Sequence, residues 1–132
     1  MRVTAIPFEP GTNPGCGKVK EILSRLGDKW TILAIAMLVE EPRRFNELRR
    51  LIGGISQQML TRTLKALERD GMVTRKVHPT VPPQVTYSLT DLGRSLAVPL
   101  IQLATWVVDH LNEIEAQQAH HYNDANDRGR KS

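Results

Sequence analysis

Apolar residues recur at helical spacing along most of this chain. Val19, Ile22, Leu23 and Leu26 share one face of a helix predicted from about Lys18 to Leu26. Gly27 ends that helix, and Asp28 is placed to N-cap the next. Lys29 to Val39 is apolar on nearly every side, the pattern of a buried central helix, and it stops before Pro42. Arg43-Arg44-Phe45 reads as a short extended piece. A third helix from about Asn46 to Leu51 directs Phe45, Leu48, Leu51 and Ile52 inward. Gly53-Gly54 breaks it. Ser56 is placed to cap a fourth helix, about Gln57 to Asp70, whose Leu60, Leu64 and Leu67 form an inward stripe before Gly71.

The period then changes from helix to strand. Val73–Val77 and Val85–Leu89 tend to alternate apolar with polar side chains and predict a hairpin. Between them His78 to Gln84 carries three prolines, which fits an exposed wing better than a tight turn. Thr90 can cap a fifth helix reaching about Gln118, with Pro99 a predicted kink. From Ala119 the chain turns polar, and residues 119–132 are expected to fray as a tail. Residues 1–15, with three prolines and two glycines, are expected to form a loose arm. The fold class is therefore mainly α with a small β-hairpin wing: a winged helix-turn-helix occupying residues 16–118, with terminal helices for dimerisation.

Charge sharpens this picture. The net charge is +4 over 132 residues, yet residues 43–76 hold nine basic side chains against three acidic ones. A basic segment over the helix-turn-helix fits a polyanionic partner; a solvated basic face is the plainer reading. With Leu60, Leu64 and Leu67 inward, Gln57, Gln58, Thr61, Arg62 and Lys65 face outward. Glutamine can pair with an adenine edge, arginine with a guanine edge, and the threonine methyl can meet a thymine methyl. Ser56 begins this helix, where free N–H groups favour an anion. Arg43, Arg44 and Asn46 are placed to position the DNA backbone, and Arg75, Lys76, His78 and Thr80 lie on the wing. Arg49 and Arg50 either share that task or only solvate the third helix.

Linked motifs carry a family resemblance. Leu26-Gly27-Asp28-Lys29-Trp30-Thr31-Ile32-Leu33, Pro42 to Leu48, Gly54 to Thr61, Leu67 to Val73 and Val81 to Gly93 follow in order. Together, over about Cys16 to Trp106, they resemble the HxlR-type regulators, relatives of the MarR type. The first motif departs by one residue, Asp28 standing where the family pattern has a second glycine. The resemblance implies a bacterial homodimer that binds double-stranded operator DNA. It also brings forward Cys16, the only cysteine: many such proteins have a cysteine at the matching position, and some use it to sense oxidants or electrophiles. Lys18, Lys20 and the start of the first helix favour a thiolate there; an inert small residue is the alternative. Any disulfide must be intermolecular or with a small thiol.

The fifth helix carries Leu96, Leu100, Leu103, Trp106, Val107 and Leu111, a long stripe for so small a domain. It is expected to pack on a second subunit, with the arm and Val19 of the first helix. Trp30 is read as a core residue, with a ligand-pocket wall as the alternative. His110, His120 and His121 lack a ligand motif, so no metal and no cofactor is expected. No phosphate loop, HExxH or supported catalytic triad appears, so an enzyme is not expected. The longest apolar run, Trp30 to Val39, is far short of the ~20 residues of a membrane span, and no secretory signal is visible, so a cytoplasmic protein is expected. The competing functions are a winged-helix interaction module without DNA binding and a regulator answering to a small ligand. Repression is the expected sign, because a dimer straddling a promoter blocks polymerase without further contacts.

Overall fold

The computed structural model describes residues 16–130, with only the backbone of Cys16 and Arg130. The expected arm, residues 1–15, lies outside the described residues. The chain divides into two compact units between Ala97 and Val98.

In the first unit α1 (Cys16–Leu26) and α2 (Lys29–Leu38) are joined by Gly27 and Asp28, with the Gly27 N–H donating to the Leu23 carbonyl at 2.8 Å. Val19, Ile22 and Leu26 are half-buried, as their spacing predicts, but Leu23 remains 54% exposed. It lies at the edge of that face, on the flank away from Ile22. Asp28 holds the extended N-cap backbone of α2 without a side-chain cap bond, so its expected capping role is corrected to a backbone one. Thr31, Ala34, Ile35 and Leu38 of α2 are buried, and α2 packs on α3, α4 and β3, which confirms the central helix.

The expected two-stranded hairpin is a three-stranded antiparallel sheet. β1 (Arg43–Arg44) pairs with β3 (Gln84–Leu89), and β3 pairs with β2 (Val73–His78), in the order β1-β3-β2. The ladder extends to His78↔Gln84, which shortens the wing loop to residues 79–83. α3 (Phe45–Ile52) buries Leu48 completely, whereas Leu51, expected inward, is 40% exposed. Gly53 and Gly54 both have φ +72°, a left-handed conformation that disfavours a side chain, and they turn the chain from α3 into α4 (Gln57–Arg69). Ile55 is buried between them and α4. The Ser56 hydroxyl accepts from the Met59 N–H at 3.1 Å, the predicted N-cap. The helix closes with Gly71 at φ +78° and the Met72 N–H on the Leu67 carbonyl at 2.9 Å, a Schellman-type end.

The chain then enters α5 (Asp91–Arg130) through Thr90, whose hydroxyl accepts from the Gly93 N–H at 3.0 Å and donates to the Gly71 carbonyl at 2.6 Å. α5 extends through the second unit to Arg130, well past the expected end near Gln118. Polarity alone does not end a helix. Between Pro99 and Gly129 the sequence has neither proline nor glycine to break the helix, and an i,i+4 contact between His120 and Asp124 at 3.6 Å lies in its last turns. No described helix is long and apolar enough to cross a membrane.

Candidate nucleic-acid interface

Side-chain burial divides α4 into two faces. Leu60, Thr63, Leu64 and Leu67 are buried, while Gln57, Gln58, Arg62, Lys65 and Arg69 are exposed and Thr61 is half-buried. Gln58, Thr61, Arg62, Lys65 and Arg69 line one shallow groove on the outer face. Arg69 was not in the predicted set, although its spacing of seven from Arg62 places it on the same face. Among the described residues Arg62, Lys65 and Arg69 form no ion pair, so their charges are available to a polyanion.

The basic residues before α4 divide in a way that charge counting does not reveal. Arg43 has a side chain only 12% exposed. Its Nε donates to the Met37 carbonyl at 2.9 Å, and its guanidinium meets Glu41 at 3.0 Å, Glu40 at 3.4 Å and Glu47 at 3.6 Å. A cation surrounded by three carboxylates offers little to a phosphate, so the structure gives Arg43 an anchoring place in the sheet. Arg44, its neighbour on the strand, is exposed and forms no ion pair among the described residues. Arg44, Asn46, Arg50 and Gln84 line a hollow of about 680 Å³ where the start of α3 meets the loop end of β3. Arg49 donates through Nε to the Ile55 carbonyl at 3.2 Å, which braces the turn between the two helices.

The wing shows the same division. Arg75 and Lys76 are exposed on β2, opposite Tyr87 and Thr86. His78 is half-buried with Nε2 2.9 Å from the Thr86 hydroxyl. Thr80 is exposed, but its hydroxyl donates to the Pro82 carbonyl at 2.7 Å and shapes the loop. Val81 at the tip is fully exposed.

The remaining predicted residues lie elsewhere. Cys16 is the first residue of α1. Val19 is half-buried on α1. In the second unit Leu100 is already buried at 9% exposure, whereas Leu103, Trp106, Val107 and Leu111 are 43–51% exposed. Trp106 stacks on His110 with ring centroids 4.3 Å apart, and His110 Nδ1 lies 2.8 Å from the Trp106 carbonyl. Trp30 is half-buried, with the Lys29 ammonium 4.6 Å above its ring. Among the described residues no three His, Cys, Asp or Glu side chains gather as a metal site.

Residues 25–115 match the HxlR-like helix-turn-helix family. The HTH-type transcriptional regulator YtfH of Escherichia coli is 42% identical over 97 residues, covering 74% of this chain and 77% of that protein. Among solved structures, the transcriptional regulator ytfH from Salmonella typhimurium aligns with a TM-score of 0.73 at 39% identity, covering 76% of this chain and 89% of that one. The redox regulator HypR in its oxidized form aligns at 0.65 and 40% identity, covering 70% and 95%. The reduced form of the transcriptional regulator YodB from Bacillus subtilis aligns at 0.60 and 38% identity, covering 70% and 90%.

Proposed function

This chain belongs to the HxlR-like helix-turn-helix family of transcriptional regulators, and from that premise we propose that it represses transcription by binding a palindromic operator as a homodimer. The observation that carries this reading is the outer face of α4. Its Arg62, Lys65 and Arg69 are exposed and form no ion pair among the described residues, and they stand beside Gln58 and Thr61, which can read base edges. The α4 N-terminus at Ser56, Gln57, Asn46, Arg44, Arg75 and Lys76 hold the phosphates on either side, with His78 and Thr80 shaping the wing. The second copy is held through the exposed apolar side chains of α5. The two α4 helices then meet half-sites about one helical turn, ~34 Å, apart.

Mobility shifts with duplexes from the DNA flanking the protein's own gene test this reading, against scrambled duplexes of equal length. A preference of about a thousandfold is expected for an inverted repeat. Equal affinity for every duplex would leave the interaction-module reading in its place.

The same proposal gives the regulator an oxidant or electrophile as its signal, received at Cys16. The similarity to HypR, a redox regulator, supports this. So does the place of Cys16 in the chain beside Lys18 and Lys20 at the start of α1, because nearby cations favour a thiolate.

A further inference from the structure

Arg25 stands in the last turn of α1 and Asp70 caps the C-terminus of α4, 45 positions later. The Arg25 Nη1 donates to both oxygens of Asp70, each at 2.8 Å, and Nη2 donates to Glu21 one turn back at 3.1 Å. Both members of the pair are largely screened from water, with side chains 23% and 22% exposed. Among the described residues no other side chain of α1 bonds to another element. Asp70 is also in an unfavourable place by itself, because a carboxylate at a helix C-terminus faces the negative end of the dipole. Arg25 reverses that sign.

The surroundings make this pair a lever. A groove of about 580 Å³ runs between the α1–α2 turn and α4, with Arg25, Asp28, Met59, Arg62 and Arg69 among its walls. Among the described residues this groove separates Ser24 and Arg25 at the end of α1, and Asp28 after it, from Met59, Arg62 and Arg69 of α4. The two helices are therefore tied at one end, and Arg62 and Arg69, the free cations of the DNA-facing side, border the space that opens if the tie is lost.

We propose that Arg25 is a positioning residue: its ion pair with Asp70 sets the pose of α4 relative to α1, and a disturbance of α1 reaches the DNA-binding face through this pair. The proposal rests on α4 being the recognition helix. Arg25 touches no DNA in it. What it controls is the angle at which Arg62, Lys65 and Thr61 are presented. Sequence-specific contacts depend on that angle, while diffuse phosphate attraction does not.

The test compares wild type with Arg25→Gln, Asp70→Asn and the reversed pair Arg25→Asp/Asp70→Arg, with Arg25→Lys as the mildest change. The probes are a duplex enriched from a random library by the wild-type protein and its scrambled counterpart. Arg25→Gln and Asp70→Asn are each expected to lose about tenfold in affinity for the enriched duplex, and Arg25→Lys less. Binding to the scrambled duplex should change less than about twofold, and the reversed pair should recover most of the loss. Single variants that keep wild-type affinity, or a reversed pair no better than the singles, overturn the proposal. Hydrogen exchange separates this from failure of the recognition reading. If wild type enriches no duplex, the recognition reading falls. The tie is then judged by the amides of α1, which should exchange faster in Arg25→Gln, recover in the reversed pair, and count against the tie if unchanged.

Discussion

A side chain on Gly93 would collide with the carbonyl oxygen of Met72. A Cβ there would overlap that oxygen and lie 3.0 Å from the Met72 carbonyl carbon and 3.2 Å from Leu89 Cδ2. The same Met72 carbonyl accepts the Thr90 N–H at 3.0 Å, so it is fixed where the end of α4, the wing and the start of α5 meet. Gly93→Ala must displace backbone, and the expected loss is about 3 kcal/mol in urea unfolding. Gly17→Ala, with nothing within 4 Å of its added carbon, should instead be neutral or stabilising by about 0.5–1 kcal/mol. A tolerated Gly93→Ala would mean that this junction is not rigid.

Two adjacent arginines should respond in opposite ways. Arg43→Ala removes a charged hydrogen bond to Met37 and a centre shared by three glutamates. It should cost about 1.5–3 kcal/mol of stability with the salt dependence of DNA binding unchanged. Arg44→Ala should leave stability within about 0.5 kcal/mol and reduce the salt slope by about one. Equal salt slopes for the two variants would reject the division.

That division shows where sequence reading ends. Ser56 and Thr90 were legible as caps because a hydroxyl before an apolar periodic run has a local role, and both caps are present. The stripe of Leu60, Leu64 and Leu67 fixed which side of α4 faces out, and with it most of the candidate interface. β1 was legible only as an extended piece, because its partner strand lies more than forty positions away and two residues carry no period. Arg43 and Arg44 look alike to a charge count, since neither burial nor partners appear in composition. Arg25 and Asp70 meet only after α1 and α4 are placed. The far end of α5 is not legible from polarity, because a helix does not need an apolar face to continue when no proline or glycine interrupts it.

Arg62 is expected to carry base or phosphate contact directly. Arg62→Ala should cost ~1–3 kcal/mol of operator affinity if it pairs with a guanine edge, and mainly lower the salt slope if it holds a phosphate. Lys65→Ala and Arg75→Ala should lower the salt slope by about one each. An Arg62→Ala protein that binds specific and random duplexes as tightly as wild type would remove α4 from the interface.

Cys16 supplies the chemical prediction. It is the only thiol in the chain, so diamide can act at one position, taking two electrons and two protons from two Cys16 thiols of separate subunits or from Cys16 and a small thiol. Oxidised wild type should lose operator affinity by about 100-fold or more, as a switch of several kcal/mol requires. Dithiothreitol should restore it, and Cys16→Ser should not respond. Equal loss in both proteins, or none in either, would show that the signal enters elsewhere.

Self-association should depend on α5. Leu103, Trp106, Val107 and Leu111 leave 50, 51, 43 and 45% of their surface uncovered by the chain itself. Leu103 and Val107 lie one turn apart on the same face, and Leu111 continues the row. Such a contiguous apolar strip is rare on a monomer and is what a two-fold interface covers, each copy presenting the same surface to the other. Leu100 is already buried and contributes less than its place in the stripe implied. Introducing glutamate at both exposed positions, Leu103→Glu with Val107→Glu, would bury unpaired charges at such an interface, a penalty of several kcal/mol. Sedimentation should therefore show dimers for wild type and monomers for the double variant at micromolar concentration. A monomer meets one half-site where the dimer meets two, so operator binding should fall at least about a thousandfold, toward the non-specific level. The far-UV spectrum should stay helical, because both positions are exposed in the single chain. A wild type that sediments as a monomer, or a double variant that remains dimeric, would place the interface elsewhere.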